Sequence, residues 1–277
     1  MATGIAGLFS LRGRVAVITG GAGLLGMKHA EVVAEAGGTP VLLDLPIAGP
    51  VSRANSFSDR FAVPALGLEA DITNPHELES ARDAILERFG RIDILINNAA
   101  SNPKMEQRGD TNFSRLEDFP LEIWEADLRV GLTGAFLCSR LFGSEMARRG
   151  SGVILNVASD LAVIAPDQRL YRVQGIAESS QPVKPVTYSV VKSGLIGLTR
   201  YLATYWHEHG VRVNALSPGG VYNGQPEEFV ARLSQLIPMG RMAHADEYKG
   251  AVLFLCSNAS SYMTGTNLII DGGRSAW

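Results

Sequence analysis

Val15-Ala-Val-Ile-Thr-Gly20-Gly-Ala-Gly23-Leu24-Leu25-Gly26 is the stretch on which the fold turns: an apolar β-branched run passes through closely spaced glycines into residues of helical periodicity. Glycines in this place let the backbone approach a pyrophosphate, and the helix N-terminus behind them faces its charge. The helix predicted from Leu25 to Ala36 stops at Gly37-Gly38, and Pro40 to Leu43 begins a second strand. Asp44 closes that strand, where a carboxylate accepts both hydroxyls of an adenosine ribose. The same carboxylate repels the 2′-phosphate of NADP. Neither Gly21 nor Leu45 supplies an arginine to receive that phosphate, so the expected cofactor is NAD.

Outward from this unit the alternation continues. Pro64 to Leu68 reads as a third, weaker strand. Asn74 caps a helix that carries Pro75 in its first turn, sets Leu78, Ala81, Ile85 and Phe89 on one face and stops at Gly90. Further strands are predicted at Ile92–Ile96, Val153–Val157, Val211–Asn214 and Asn267–Ile270, with helices between them, which is the pattern of a parallel α/β sheet. With no internal repeat and no linker, residues 1–277 are expected to form one dinucleotide-binding and catalytic domain. Two stretches break the rhythm, Ser101–Pro120 and Asp160–Thr187, and loops of that length in a compact domain are usually functional or disordered.

Composition narrows the function. Of 277 residues, 46% are hydrophobic and 19% charged, which excludes collagenous and disordered classes. Basic residues number 25 against 28 acidic ones, a net charge of −3, so a nucleic acid finds no electrostatic footprint. Cys138 and Cys256 stand alone, indicating neither zinc site nor disulfide framework, and no metal site is expected. Met1 to Ser10 lacks the charged and apolar regions of a signal peptide and no run is long enough to span a membrane, so a cytoplasmic protein is expected.

Tyr188-Ser-Val-Val-Lys192 sets a phenol and an ammonium one helical turn apart. Such pairs also occur on ordinary solvated helix faces. Ser159 follows the strand Val153–Val157 at the carboxyl edge of the sheet, where open α/β folds bind ligands, although a serine there can be a simple turn former. Together with the glycine loop the three suit hydride transfer. A carbinol must lose its hydroxyl proton to a base as its hydride leaves; Tyr188 is that base, Lys192 favours its phenolate, and Ser159 orients the substrate oxygen.

From about Leu11 onward the sequence resembles the short-chain dehydrogenase/reductase family. The markers run in order: Leu11-Arg-Gly-Arg-Val-Ala-Val-Ile-Thr-Gly20, the adenine-contacting pair Asp71-Ile72, and Asn97-Asn98-Ala99-Ala100. They continue with Ser159, Tyr188 and Lys192, then Pro218-Gly219 with Val221 at the nicotinamide carboxamide, and Gly265 with Asp271-Gly272-Gly273. The resemblance implies a single-domain, Rossmann-type doubly wound sheet of about seven parallel strands and a homotetramer. It implies catalysis by Ser159, Tyr188 and Lys192. It places cofactor contacts at Gly20, Gly23, Leu24, Leu25, Gly26, Asp44, Asp71, Ile72, Asn98, Ala99, Ala100, Tyr188, Lys192, Pro218, Gly219 and Val221.

Four departures from the family pattern stand out. Leu24 replaces a glycine of the usual loop. Gly131 stands where an asparagine usually anchors a water of the proton relay, and Asn223 lies where a threonine is usual. Ser159 and Tyr188 lie 29 residues apart, against about a dozen in most of the family, so an insertion spans about 160–187. Its Asp167, Gln168, Arg169, Tyr171, Arg172 and Glu178 make either a pocket wall for a polar substrate or a surface excursion. Together with Arg200 to Trp206, the insertion is similar to that of enzymes in bacterial surface-sugar and flagellin-glycan pathways, which implies a sugar-like or polyol substrate. Lys104, Arg108 and Arg115 form an anion clamp or a solvated group, and Phe229, Leu233 and Leu236 a substrate lid or ordinary core. Two rival functions stay open: a reductase of small ketones or 3-oxoacyl thioesters, and a catalytically silent NAD-binding protein.

Overall fold

A computed structural model describes residues 4–101 and 114–277. Its centre is one seven-stranded sheet, all parallel, in the order β3-β2-β1-β4-β5-β6-β7. The strands are β1 (Val15–Thr19), β2 (Thr39–Asp44), β3 (Leu66–Glu69), β4 (Ile94–Asn97), β5 (Gly152–Val157), β6 (Val211–Pro218) and β7 (Asn267–Ile270). The central strands are mostly apolar because both faces are covered, with Thr19, Asn97 and Asn156 as buried polar residues near their ends. On β1, Ala16 and Ile18 enter one core while Val15 and Val17 enter the other, and on β5 Val153 and Leu155 oppose Ile154 in the same way.

Helices α1 (Ile5–Leu8), α2 (Leu24–Glu35), α3 (Pro50–Phe61) and α4 (Pro75–Phe89) belong to the first half of the chain. Ala30 and Val33 of α2 with Ala54 and Phe57 of α3 fill the first core, and Leu78 and Ile85 of α4 fill the second. As expected, the Asn74 side chain caps α4 by accepting the His76 N–H, and Gly90 ends it in the left-handed region. The later helices are α5 (Leu121–Leu128), α6 (Gly134–Arg148), α7 (Val186–Tyr205), α8 (Glu227–Gln235) and α9 (Lys249–Cys256).

Between α5 and α6, Arg129–Thr133 form a π-turn instead of a helix break. Gly131 sits in it because there is no room for a side chain: a Cβ there would collide with Cγ1 of Val191 on α7. The strand order reverses between β1 and β4, and at such a switch point the loops leaving the two strands part to form a crevice at the carboxyl edge. Among the described residues no helix is long and apolar enough to cross a membrane.

Candidate active site

The glycine loop leaves β1 at this crevice. Gly20 adopts φ +60°, open to glycine at little cost, and a Cβ on Gly26 would overlap the Gly20 carbonyl. The chain therefore turns tightly into α2, with Gly23 at its N-cap and Leu24 exposed at its first position. The first-turn N–H groups of α2 have no carbonyl within the helix to bond, and they face outward at the crevice as an anion cradle. Asp44 ends β2 beside this loop. One carboxylate oxygen accepts the Ala22 N–H (2.9 Å) and the other the Leu45 N–H (2.8 Å), holding the side chain at the loop's edge.

Asn98 ties β4 to the same loop. Its amide donates to the Thr19 carbonyl (3.0 Å) and the Gly20 carbonyl (3.1 Å), and the Ala99 N–H donates to the Thr19 hydroxyl (3.1 Å). Asp71 and Ile72 follow β3, Ala100 follows β4, Pro218 ends β6 and Gly219 follows it, so these expected cofactor contacts lie at the carboxyl ends of the strands. Val221, just beyond, is tied by a bridge to Ala243. A loop no side chain fills, a helix N-terminus and an aspartate at the end of β2 fit a dinucleotide.

The catalytic candidates meet at the end of β5. Helix α7 is fixed there by a buried polar chain in which Asn97 donates to Asn156 (2.8 Å) and Asn156 to Thr199 (2.8 Å). Near its start the Thr187 hydroxyl donates to Asp127 of α5. Lys192, fully enclosed, donates from Nζ to the Val157 carbonyl (2.8 Å), and burial with the nearby Lys184 ammonium pushes its pKa down to about 8. Burial pushes the Tyr188 phenol above its ordinary value; the adjacent Ser159 hydroxyl opposes that rise and the Asp160 carboxylate adds to it. Burial is thus the largest influence on the phenol, and the Lys192 ammonium, expected to favour the phenolate, lies 5.8 Å from the ring centroid.

Three further charged side chains reach this place without having been singled out from the sequence. Lys184 lies over the Tyr188 ring, its Nζ 3.9 Å from the centroid, and burial lowers its pKa to about 8. Asp160, next to Ser159, is paired in the interior with Arg274 (2.7 Å). Only Asp160 carried a local signal, as a charge directly after the candidate serine. Nothing local joins it to an arginine 114 positions away.

The insertion's polar residues are largely spent on the insertion itself. Asp167 pairs with Arg169 (2.7 Å), Arg172 with Glu178 (2.8 Å), and Gln168 accepts the Lys184 backbone N–H (2.8 Å). Tyr171 turns inward against Phe229 of α8, with ring centroids 5.7 Å apart. Leu170, Leu233 and Ile237 form a small core separate from the two that cover the sheet, with Phe229 and Leu236 packed on it. Arg115 is likewise engaged, with Glu117 (3.4 Å) and the Glu178 carbonyl (3.1 Å), while Lys104 and Arg108 lie outside the described residues.

Comparison with known proteins agrees with this geometry. Residues 21–275 match the family model described as enoyl-(acyl carrier protein) reductase. D-threitol dehydrogenase of Mycolicibacterium smegmatis is 33% identical over 274 residues, 96% of this chain and 94% of that one. The chain belongs to the short-chain dehydrogenase/reductase family. NAD-dependent glycerol dehydrogenase of Listeria innocua is 32% identical over 96% of this chain and 95% of its own length. Among solved structures, the NADPH-dependent 3-quinuclidinone reductase of Rhodotorula rubra superposes with a TM-score of 0.85 at 30% identity, covering 100% of this chain and 97% of that one. Membership makes the protein an oxidoreductase of CH–OH groups using NAD or NADP, and the first two relatives are polyol dehydrogenases by name.

Proposed function

We propose that the protein is an NAD-dependent dehydrogenase of a secondary hydroxyl on a polyol or sugar-like substrate. The observation that carries this reading is the meeting of Ser159, Tyr188 and Lys192 at the carboxyl end of β5, on the same edge as the glycine loop and Asp44. A bound nicotinamide supplies the hydride acceptor. Tyr188 takes the substrate hydroxyl proton, Ser159 holds the substrate oxygen within reach, and Lys192 steadies the phenolate as it forms. NAD is preferred because a carboxylate at the end of β2, here Asp44, suits ribose hydroxyls and repels a 2′-phosphate.

The polyol class is supported by the D-threitol and glycerol dehydrogenases above, neither of which is named for a surface-sugar or flagellin-glycan pathway. Reduction of a small ketone is the second reading, favoured by the likeness to the quinuclidinone reductase and opposed by Asp44. Gly131, the reason for considering a silent binder, sits where Val191 leaves no space for an asparagine.

Nicotinamide absorbance followed with NAD or NADP over a panel of polyols, aldoses, sugar acids, simple alcohols and ketones tests the reading. Turnover of hydroxyl-rich substrates with NAD, abolished by Tyr188→Phe, is expected. An enzyme inert to the whole panel, or unaffected by Tyr188→Phe, would overturn it.

A further inference from the structure

Asp160 and Arg274 are 3% and 8% exposed, and their ion pair joins the segment after β5 to the segment after β7. Burying such a pair is expensive, and apolar residues of similar size often serve stability as well. The pair is also not isolated. Asp160 Oδ1 accepts the Ser159 hydroxyl proton (2.8 Å) and the Leu161 N–H (2.8 Å), while Oδ2 accepts from Arg274 (2.7 Å).

We propose that Asp160 and Arg274 act as a positioning pair for Ser159, fixing the direction of its hydroxyl and balancing the charge beside Tyr188. The proposal rests on the catalytic reading of Ser159 and Tyr188 given above. Ser159 Oγ donates to Asp160 and accepts the Leu161 N–H (3.2 Å), and the Tyr188 phenol lies beside it. The carboxylate thus sets the direction of the Ser159 hydroxyl, while the single hydroxyl proton of a substrate alcohol is left for Tyr188. Arg274 holds Asp160 in place and offsets its charge, which would otherwise oppose the phenolate.

Other charges face the same point. Lys192 from α7 and Lys184 from the end of the insertion lie on Tyr188, while Tyr171 faces Tyr188, Asp160 and Arg274. Tyr248, just before α9, faces Asp160. With Asp160 neutralised, no carboxylate at 160 offsets Arg274 beside Tyr188. With Arg274 neutralised, the carboxylate is unopposed on its own side.

The test is the pH profile of kcat/KM for oxidation of the best substrate in the panel, together with KM for alcohol and ketone. The variants are Asp160→Asn, Arg274→Met, Arg274→Lys and the double variant Asp160→Asn/Arg274→Met. The acid limb should move to lower pH in Asp160→Asn and to higher pH in Arg274→Met, by about one unit each. It should lie between the two in the double variant and near wild type in Arg274→Lys. KM for the alcohol and for the ketone should rise together in Asp160→Asn, with NADH affinity, read by fluorescence, unchanged. Should Arg274→Met fail to fold, the double variant, which buries no unpaired charge, and Asp160→Asn carry the test.

An acid limb that stays at its wild-type pH in the variants, whatever their thermal stability, would overturn the proposal. In that case wild-type turnover abolished by Tyr188→Phe would leave the proposed function standing. A wild-type protein inert across the panel would overturn both.

Discussion

Tyr188 and Asp44 carry the two sharpest expectations for single side chains. Tyr188→Phe removes the group proposed to take the substrate proton while keeping the ring. It should lower kcat/KM by roughly 10²–10⁴-fold, the usual contribution of a general base, with NADH binding retained in a fluorescence titration. Asp44→Ser combined with Leu45→Arg exchanges a carboxylate for a guanidinium at the end of β2. The kcat/KM ratio of NAD to NADP should invert, measured with the same substrate. Both positions were legible in sequence, because each depends on its spacing from a local motif, the glycine loop for Asp44 and Lys192 for Tyr188. Asp160, Lys184 and Arg274 were not, because their role comes from contacts between distant segments.

The π-turn between α5 and α6 gives the departure at Gly131 a steric cause. Val191 precedes Lys192 on α7, and its Cγ1 occupies the space a side chain at 131 would need. Restoring an asparagine by Gly131→Asn should therefore cost about 1–3 kcal/mol by overpacking, read as a lower denaturant midpoint. Adding Val191→Ala should recover part of the loss. From the sequence Gly131 looked like a missing relay group; in the fold, α5–α6 and α7 are paired through a small residue on one side and a branched one on the other. The insertion changes meaning in a similar way. Its charges, read as a pocket wall, mostly bond to one another, while Leu170 and Tyr171 anchor it to α8. Insertion and α8 thus share a core that neither has alone.

For the whole molecule, His29 sets an acid limit on stability. It is buried in α2, where desolvation lowers its pKa to about 4, with Asn98 opposing the shift. An unfolded chain takes up a proton at this residue near 6.5, so between pH 6.5 and 4 the unfolded state binds more protons than the native one. Its contribution is complete above 6.5 and falls away toward pH 4, by about 1.4 kcal/mol per pH unit and ~3 kcal/mol in all. Denaturant unfolding from pH 7 to 4 should show that slope, and His29→Leu should flatten it. At the surface, Tyr201 and Tyr205 of α7 stack on each other and are each more than half exposed. We propose this apolar surface as part of a homotetramer contact. Light scattering should give a tetramer mass, and Tyr201→Glu with Tyr205→Glu should reduce it.

Fold class, strand positions and the dinucleotide loop were readable in the chain because each is local: β-branched runs, a glycine loop whose spacing permits one tight turn, and a capped helix over 75–89. The three catalytic candidates were readable too, once strand-end and helix-turn spacing were combined. Charge at the site was another matter. Whether an ammonium or burial dominates a phenol, which arginine answers which aspartate, and what fills the place of an absent asparagine all depend on side chains brought together from opposite ends of the chain. Electrostatic and steric effects act over a few ångströms of space, and sequence separation does not measure that distance.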